Sequence, residues 1–469
     1  MKKMLALIIF TSLLCACASN PVNNGVSEES GGGFSETETS ETPGETVKDY
    51  PVVTGSFIQP FAILSFDESK MTRHLKGLLE AGIDTVILQW CCMTPYGKYA
   101  DVYFDYGGGD EYKSGTYSDR YSGMTETLLA CAEELGMKVF VGLNNADEWW
   151  SKGPSDSGWN QKQAEIGVLT AQTIYTAYKS KYPGALYGWY YVWEMSNGSI
   201  MRWPVENAGL LNLYLDTLTE IDPSMPLMLS PFISEADGSA EQLGESLKQL
   251  FAAANFRAGD IYCCQDSVGA GYMSLSKLPD YFAAVGEAVK TKSGLLFWAN
   301  DENFVQATWT AAPVARFINQ MKAAKDYVSG FVTFSYTHYY SPDMVGTSVY
   351  HDMYVEYMKT GLLPNDEIPG KPEIEISEIT GRDALSLAVD AVQNTYGVEE
   401  VKVTINGQEY KTAENGDIRA GKVYRASFYI DISAYSPGET LLVEVRAFDV
   451  NGTSSEVSSL TYTKGGEVN

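Results

Sequence analysis

The sequence predicts an α/β fold: a (β/α)8 TIM barrel over residues 51–364, followed by a small all-β sandwich over residues 365–469. Three observations carry this. Strand-like apolar runs alternate eight times with amphipathic helix-like stretches between residues 52 and 363. The runs are apolar on both faces, as parallel strands covered by helices require. After Pro364 the hydrophobic period changes to two, with turn residues between the runs.

The strand candidates are, in order, "VVTGSFIQ", "DTVILQW", "MKVFVGLN", "LYGWYYVW", "PLMLSP", "DIYCCQ", "GLLFWAN" and "GFVTFSY". The helix candidates between them begin with "ESKMTRHLKGLLEAG" and "SGMTETLLACAEELG" and end with "YHDMYVEYMKTG". Their apolar residues recur every three or four positions, which gives each helix one face to lay on a sheet. Gly or Pro punctuates the junctions "EAGIDTV", "ELGMKVF" and "KYPGALYG". Eight such units close into a barrel. A doubly wound open sheet is the alternative, but it would need a Gly-rich phosphate turn after the first strand, and "GSFIQPFAILSF" offers none. In the C-terminal part, "VEEVKVTINGQEY" reads as a hairpin turning at Asn406-Gly407, and "ETLLVEVRAFDVNGTSSEVSSLTYT" as two strands around Asn451-Gly452. A sandwich of the immunoglobulin or fibronectin type III class is expected.

The N-terminus predicts export. "MKKMLALIIFTSLLCAC" has two lysines, an apolar run too short to span a bilayer comfortably, and small residues before a cysteine. The end, Leu14-Cys15-Ala16-Cys17, resembles a bacterial lipobox, which implies a signal peptide over 1–17 and a lipid on Cys17. Residues 18–50, rich in Ser, Thr, Gly and Glu, read as a disordered acidic tether, as befits a lipid anchor facing the periplasm or the cell surface. No later segment is apolar and long enough to cross a membrane, so the anchor is the one membrane contact expected.

Composition excludes several functions. The formal net charge is -27, with 60 acidic against 33 basic residues. Nucleic-acid and polyanion partners are therefore disfavoured, because phosphate binding needs Lys and Arg on one face. No cofactor motif is present. Cys91, Cys92, Cys131, Cys263 and Cys264 read as buried thiols, with one disulfide left open. Adjacent cysteines on a strand point to opposite faces and make poor metal ligands. The three histidines, His74, His338 and His351, form no paired motif. No metal is expected.

Chemistry should lie where a barrel of this kind places it, at the C-terminal ends of the strands. Those ends offer Gln59, Trp90, Asn144 with Asn145, Glu194, Ser230, Gln265 with Asp266, Asp301 with Glu302, and Tyr336. Amides and acids bond to hydroxyls, and aromatic rings offer flat faces to the C–H side of a sugar. The ring predicts a poly- or oligosaccharide substrate. Trp193, Asn197 and Trp298, beside the two glutamates, complete the candidate binding set. Glu194 ends the fourth strand and Glu302 the seventh, on opposing sides of the mouth. Glycosidic hydrolysis needs such a pair: one carboxyl protonates the leaving oxygen, and the other attacks the anomeric carbon or activates water. An acid of raised pKa needs a partly apolar pocket, which accounts for Glu194 in the aromatic stretch "GWYYVWEMSN".

This arrangement resembles the clan A retaining glycoside hydrolases. The barrel as a whole resembles uncharacterised glycosidase-like barrel families on gut-bacterial lipoproteins, often followed by a β-sandwich. The resemblance implies an acid/base at Glu194 and a nucleophile at Glu302, with Asp301 the alternative nucleophile one residue away. It departs at Trp193, where clan A commonly has an Asn that contacts the sugar 2-hydroxyl. Asn197 is the candidate substitute. The fourth strand also lacks the spaced aspartates of substrate-assisted chitinase-like barrels, having Tyr187, Tyr190 and Val192 instead.

Two functions stay open on sequence. One is a lipid-anchored glycoside hydrolase cleaving a β-linked glycan with retention. The other is a glycan-binding lipoprotein whose barrel has lost turnover, which the Trp193 departure favours. Trp149, Trp150, Trp159, Trp203 and Trp309 are candidates for either sugar stacking or packing. His338 is a candidate pocket residue. The loop "MTPYGKYADVYFDYGGGDEYKSG" reads as either a lid or a surface elaboration.

Overall fold

The computed structural model describes residues from Asp49 to Gly465, apart from 308, 346–347, 363–367, 380–382, 393, 395–396, 411–417, 421–422 and 450–451. The signal segment, Cys17 and all but the last two residues of the tether lie outside the described residues. Eight parallel strands form a closed barrel: β1 Gly55–Ile58, β2 Thr85–Leu88, β3 Lys138–Gly142, β4 Leu186–Tyr191, β5 Leu227–Leu229, β6 Ile261–Gln265, β7 Leu296–Glu302 and β8 Gly330–Phe334. They pair in chain order, and β8 returns to β1 with Val332 opposite Gly55. A helix follows each strand: α1 Glu68–Glu80, α2 Met124–Glu134, α3 Ser157–Tyr178, α4 Pro204–Ile221, α5 Ala240–Ala253, α6 Leu278–Val289, α7 Val314–Ala324 and α8 Val349–Thr360.

Local chemistry sets these boundaries. Asp67 caps α1 by accepting the Lys70 N–H at 2.8 Å, and Ser239 with Gln242 forms a reciprocal capping box on α5. In α1, Met71, His74, Leu75 and Leu78 form the buried stripe.

Two apolar cores divide the strand residues by parity. Outward-facing residues such as Trp189, Tyr191, Tyr262 and Phe297 pack under the helices. Inward-facing Phe57, Ile87, Phe140, Tyr190, Met228, Cys263 and Val332 fill the lumen. The lumen is a packed plug, and glycine makes room for it. A Cβ on Gly188 would lie 2.5 Å from the Phe140 ring.

Rim elements appear that period-counting did not separate. Lys113–Ser118, Tyr99–Val102, Cys92–Met93 and Asn144–Asn145 pair in that order as a small sheet. Tyr99, Tyr103, Phe104 and Tyr106 are buried in the main core, so much of the loop after β2 is a packed elaboration. A second rim element, the hairpin Phe304–Val305 with Thr310–Ala311, follows β7.

The C-terminal part is a two-sheet sandwich with its own core. Its strands are β9 Glu373–Glu378, β10 Ala384–Val392, β11 Val398–Ile405, β12 Gln408–Tyr410, β13 Ile418–Ala420, β14 Val423–Asp431, β15 Thr440–Asp449 and β16 Ser458–Thr463. One sheet runs β9-β10-β14-β13 and the other β12-β11-β15-β16. Leu387, Val389 and Phe428 from the first meet Val403, Val445 and Tyr462 from the second. Asn406 and Gly407 both adopt positive φ, 49° and 82°, the turn that an Asn-Gly hairpin favours. The five cysteines of the described residues are free and buried. Among the described residues no helix is long and apolar enough to cross a membrane.

Candidate active site

Parity decides which strand-end residues reach the mouth. On β4, Tyr190 and then Val192 face the lumen, so the alternation carries Glu194 inward as well. On β7, Trp298 is lumenal, which turns Asn300 and Glu302 inward and Asp301 outward. The same count from Cys263 brings in Gln265, and from Met228 it brings in Ser230. The neighbours confirm the layer: Gln265 lies opposite Asn300, and Glu302 opposite lumenal Phe334.

Hydrogen bonds tie this layer together. The Asn300 amide donates to Ser230 Oγ at 3.0 Å, and the Gln265 amide donates to the Ser230 carbonyl at 2.9 Å. Gln265 also hydrogen-bonds the Glu194 carboxyl. From behind, the Trp149 indole N–H donates to the Glu194 carbonyl at 3.0 Å. Glu302 is 3% exposed, and its Oε2 accepts the Ala270 N–H at 2.6 Å. The Gln320 amide holds the Glu302 carbonyl at 3.0 Å. Arg316 reaches the carbonyls of Glu302 and Phe304.

Burial dominates the electrostatics. It pushes the Glu194 carboxyl up to about 7, against the Gln265 hydrogen bond. Burial likewise raises Glu302 well above the usual carboxylate range, and the charges of Asp266 and Glu194 add to this. The Ala270 N–H and the Arg316 charge pull it back. The Glu194 charge therefore reaches Glu302 across the mouth. Behind Glu302, Asp266 and Asp301 form a buried carboxyl pair. Burial and the Asp266 charge raise Asp301 well above the usual carboxylate range, while Asp266, at about 6, accepts from Val268 and Gln320. Burial lowers His338 to about 4, so it is neutral near pH 7.

Glu194, Glu302, Gln59 and Trp90 stand where the sequence placed them, at the mouth. Gln59 follows lumenal Phe57 by two residues, and Trp90 is partly buried against the lumen core. The other predicted contacts are turned elsewhere. Trp193 has the opposite parity to Glu194. It is 4% exposed, donates to the Tyr214 hydroxyl at 2.7 Å and packs with Trp149 and Trp159 beneath the helices. Asn144 belongs to the rim sheet, where its amide donates to Gln163 Oε1 at 2.8 Å. Asn197 is spent on Ser234, exchanging bonds of 2.9 and 3.0 Å. Tyr336 is buried against Tyr354, with its hydroxyl 2.8 Å from His351 Nδ1. Asp266 lies behind Glu302, because its neighbour Gln265 takes the lumenal position. Trp298 is lumenal but four residues before Glu302, roughly 13 Å down the strand. It closes the other end of the barrel against Gly330, where a Cβ would meet the indole at 2.8 Å.

Sequence reasoning missed Gln89, Asn300, Phe334 and the Gly269-Ala270 turn. Counting alternate residues from a lumenal anchor finds the first three. The turn carries no such signal. Gln89 Oε1, Asn300 Oδ1 and His338 Nε2 are buried acceptors or donors with no partner among the described residues. No group of three or more His, Cys, Asp or Glu among the described residues is placed to hold a metal ion.

Fold and site together define a (β/α)8 barrel with two desolvated glutamates at its C-terminal mouth. The chain belongs to the family described as a domain of unknown function, DUF4434, which it matches over residues 53–346. No curated protein matches it. Among solved structures it is similar to a "putative alpha-L-fucosidase" from Bacteroides thetaiotaomicron VPI-5482. The TM-score is 0.53 at 19% identity, over 69% of this chain and 99% of that one. Endo-glycoceramidase II from Rhodococcus sp. aligns at a TM-score of 0.40 and 13% identity, over 80% of this chain and 97% of that one. The first likeness speaks to the fold alone, and the second is too weak to carry an argument.

Proposed function

We propose that the protein is a glycoside hydrolase that cleaves a β-linked glycan with retention, using Glu302 as nucleophile and Glu194 as acid/base. One observation carries the reading. Two carboxyls from the fourth and seventh strands face the same lumen end, both desolvated, and the Glu194 charge adds to what raises Glu302. In this scheme Glu302 attacks the anomeric carbon while Glu194 gives its proton to the departing oxygen. Glu194 then takes a proton from the water that releases the sugar from Glu302. The donors fit this division. Burial favours the acid form of both; against it Glu302 has the amide of Ala270 and the charge of Arg316, whereas Glu194 has the Gln265 hydrogen bond alone. Gln89, Asn300 and His338 supply partners for sugar hydroxyls.

The test is kinetic. Glu302→Gln should abolish turnover. Glu194→Gln should slow natural glycans severely, yet spare an aryl glycoside whose leaving group needs no proton. Product anomers should show retention. The second reading, a glycan-binding protein without turnover, is favoured by the depth of Glu302 and by its raised pKa. It expects wild type to bind glycan and release no reducing ends. We also propose that the protein is exported and held to a bacterial membrane by lipid on Cys17.

A further inference from the structure

We propose that the open face of Trp309 is a platform for a second, neutral sugar ring, so that the mouth binds a glycan chain rather than one terminal sugar. This rests on the glycosidase reading above. Trp309 is 56% exposed, unusual for an indole, which packing normally buries. It stands in the rim hairpin that follows Glu302, at a φ of 52° that non-glycine residues seldom adopt and that persists only where surroundings impose it. Its ring stacks on Phe304, with centroids 5.6 Å apart and planes 9° apart.

Phe304 leads down to the acid pair. It lies two residues beyond Glu302 and stacks with Tyr339 at 5.5 Å, and its ring is 6.0 Å from Phe334, the strand partner of Glu302. Burial, and after it the Glu302 charge, raises the Tyr339 hydroxyl. A continuous aromatic path therefore joins the proposed nucleophile to an open indole face. Asn300 Oδ1, one step below Glu302 on the same inward face, and His338 Nε2, on a ring stacked against Phe334, are unpartnered polar atoms. Alternating polar atoms and flat apolar faces match a pyranose, with its hydroxyl edge and C–H face. The charge of the sugar follows from the loops. The described residues of 59–67, 230–239, 303–313 and 335–345, which follow the first, fifth, seventh and eighth strands, include no Lys or Arg. A uronic or sialic acid carboxylate would meet two glutamates, while the Arg316 guanidinium, just beyond, is held on the backbone carbonyls of Glu302 and Phe304.

The experiment compares 4-nitrophenyl β-glycosides of neutral monosaccharides, of the matching disaccharides and of glucuronic acid, on full-length wild type, Trp309→Ala and Trp309→Phe. Wild type should prefer a disaccharide glycoside and leave the glucuronide intact. Trp309→Ala should lose about tenfold in kcat/KM on the disaccharide through KM, and nothing on the monosaccharide, with Trp309→Phe between. The same disaccharides, titrated by tryptophan fluorescence, should bind wild type more tightly than Trp309→Ala. Equal effects on both substrate lengths, or none, would overturn the platform while leaving the glycosidase reading intact. Binding without turnover would overturn that reading and keep the platform, provided affinity still depends on Trp309. Wild type that neither cleaves nor binds any of these probes overturns both.

Discussion

The Ala270 N–H donates to Glu302 Oε2 at 2.6 Å, and Gly269 is what lets it come so close. A Cβ on Gly269 would lie 2.5 Å from the Phe304 carbonyl and 2.7 Å from Glu302 Cβ. The first of these is backbone that also defines the rim hairpin, so neither neighbour gives way cheaply. Gly269→Ala should displace the turn and strip Glu302 of the one N–H donor that its carboxyl has there. A hydrogen bond to a charged group contributes about 1.5–3 kcal/mol, so kcat should fall roughly 10- to 100-fold with KM little changed. Unaltered kcat in a folded variant would show that the amide does not act on Glu302.

Glu194 should set the alkaline limb of the pH profile. An acid at about 7 must keep its proton to work, so kcat/KM falls as pH rises through that value. Glu302 must be ionised, and its own raised pKa moves the acid limb above that of an exposed glutamate. Glu194→Gln, assayed on an aryl glycoside, should lose the alkaline limb and keep the acid one. Stability gives an independent readout. Between the unfolded value of about 4.3 and the folded value of about 7, the native state binds more protons than the unfolded chain. Stability from this group is therefore full below the lower value and lost as pH rises through the higher. Glu194→Gln lacks that loss, so its melting temperature should exceed that of wild type above pH 7 and converge with it at low pH.

How far the sequence could be read depends on what fixed each residue. Barrel strands and helices were legible because burial on both faces and the 3.6-residue period leave marks in composition, and the Asn406-Gly407 turn because few residues accept its backbone. Glu194 and Glu302 were legible because charge in an apolar strand demands a reason. The flanking contacts were not, because one residue along a strand reverses the direction of a side chain. That is why Trp193 and Asp266 were expected in the mouth, while the structure puts Gln265 there and turns Trp193 onto Tyr214. Asn144 failed differently. A rim sheet recruited it, and that sheet is built from a long-range pairing of Cys92 with Asn144 that no local pattern announces.

Cys17 lies outside the described residues, so its role is tested in cells. If Cys17 carries the lipid, Cys17→Ser should move the protein from the membrane fraction to the soluble one. Signal cleavage at the usual lipoprotein position should be lost as well. A variant that stays wholly with the membrane would refute the anchor.

Asp301 and Glu302 are neighbours in sequence, and sequence alone left the nucleophile open between them. Their surroundings separate the two. Glu302 faces the lumen beside Phe334, whereas Asp301 is fully buried on the outward side, where burial and the Asp266 charge raise it well above the usual carboxylate range. A protonated Asp301 gives its O–H to Asp266, and an asparagine amide gives an N–H of similar reach. Asp301→Asn should therefore preserve the pair, with kcat within about threefold of wild type and stability changed by no more than about 1 kcal/mol. Asp266→Asn is a harsher change, because its amide nitrogen would face Val268 or Gln320, both already donors. That variant should lose about 1–3 kcal/mol in thermal unfolding. Glu302→Gln should melt no lower than wild type at neutral pH and yet be inactive. A folded Asp301→Asn protein as inactive as Glu302→Gln would move the nucleophile to Asp301.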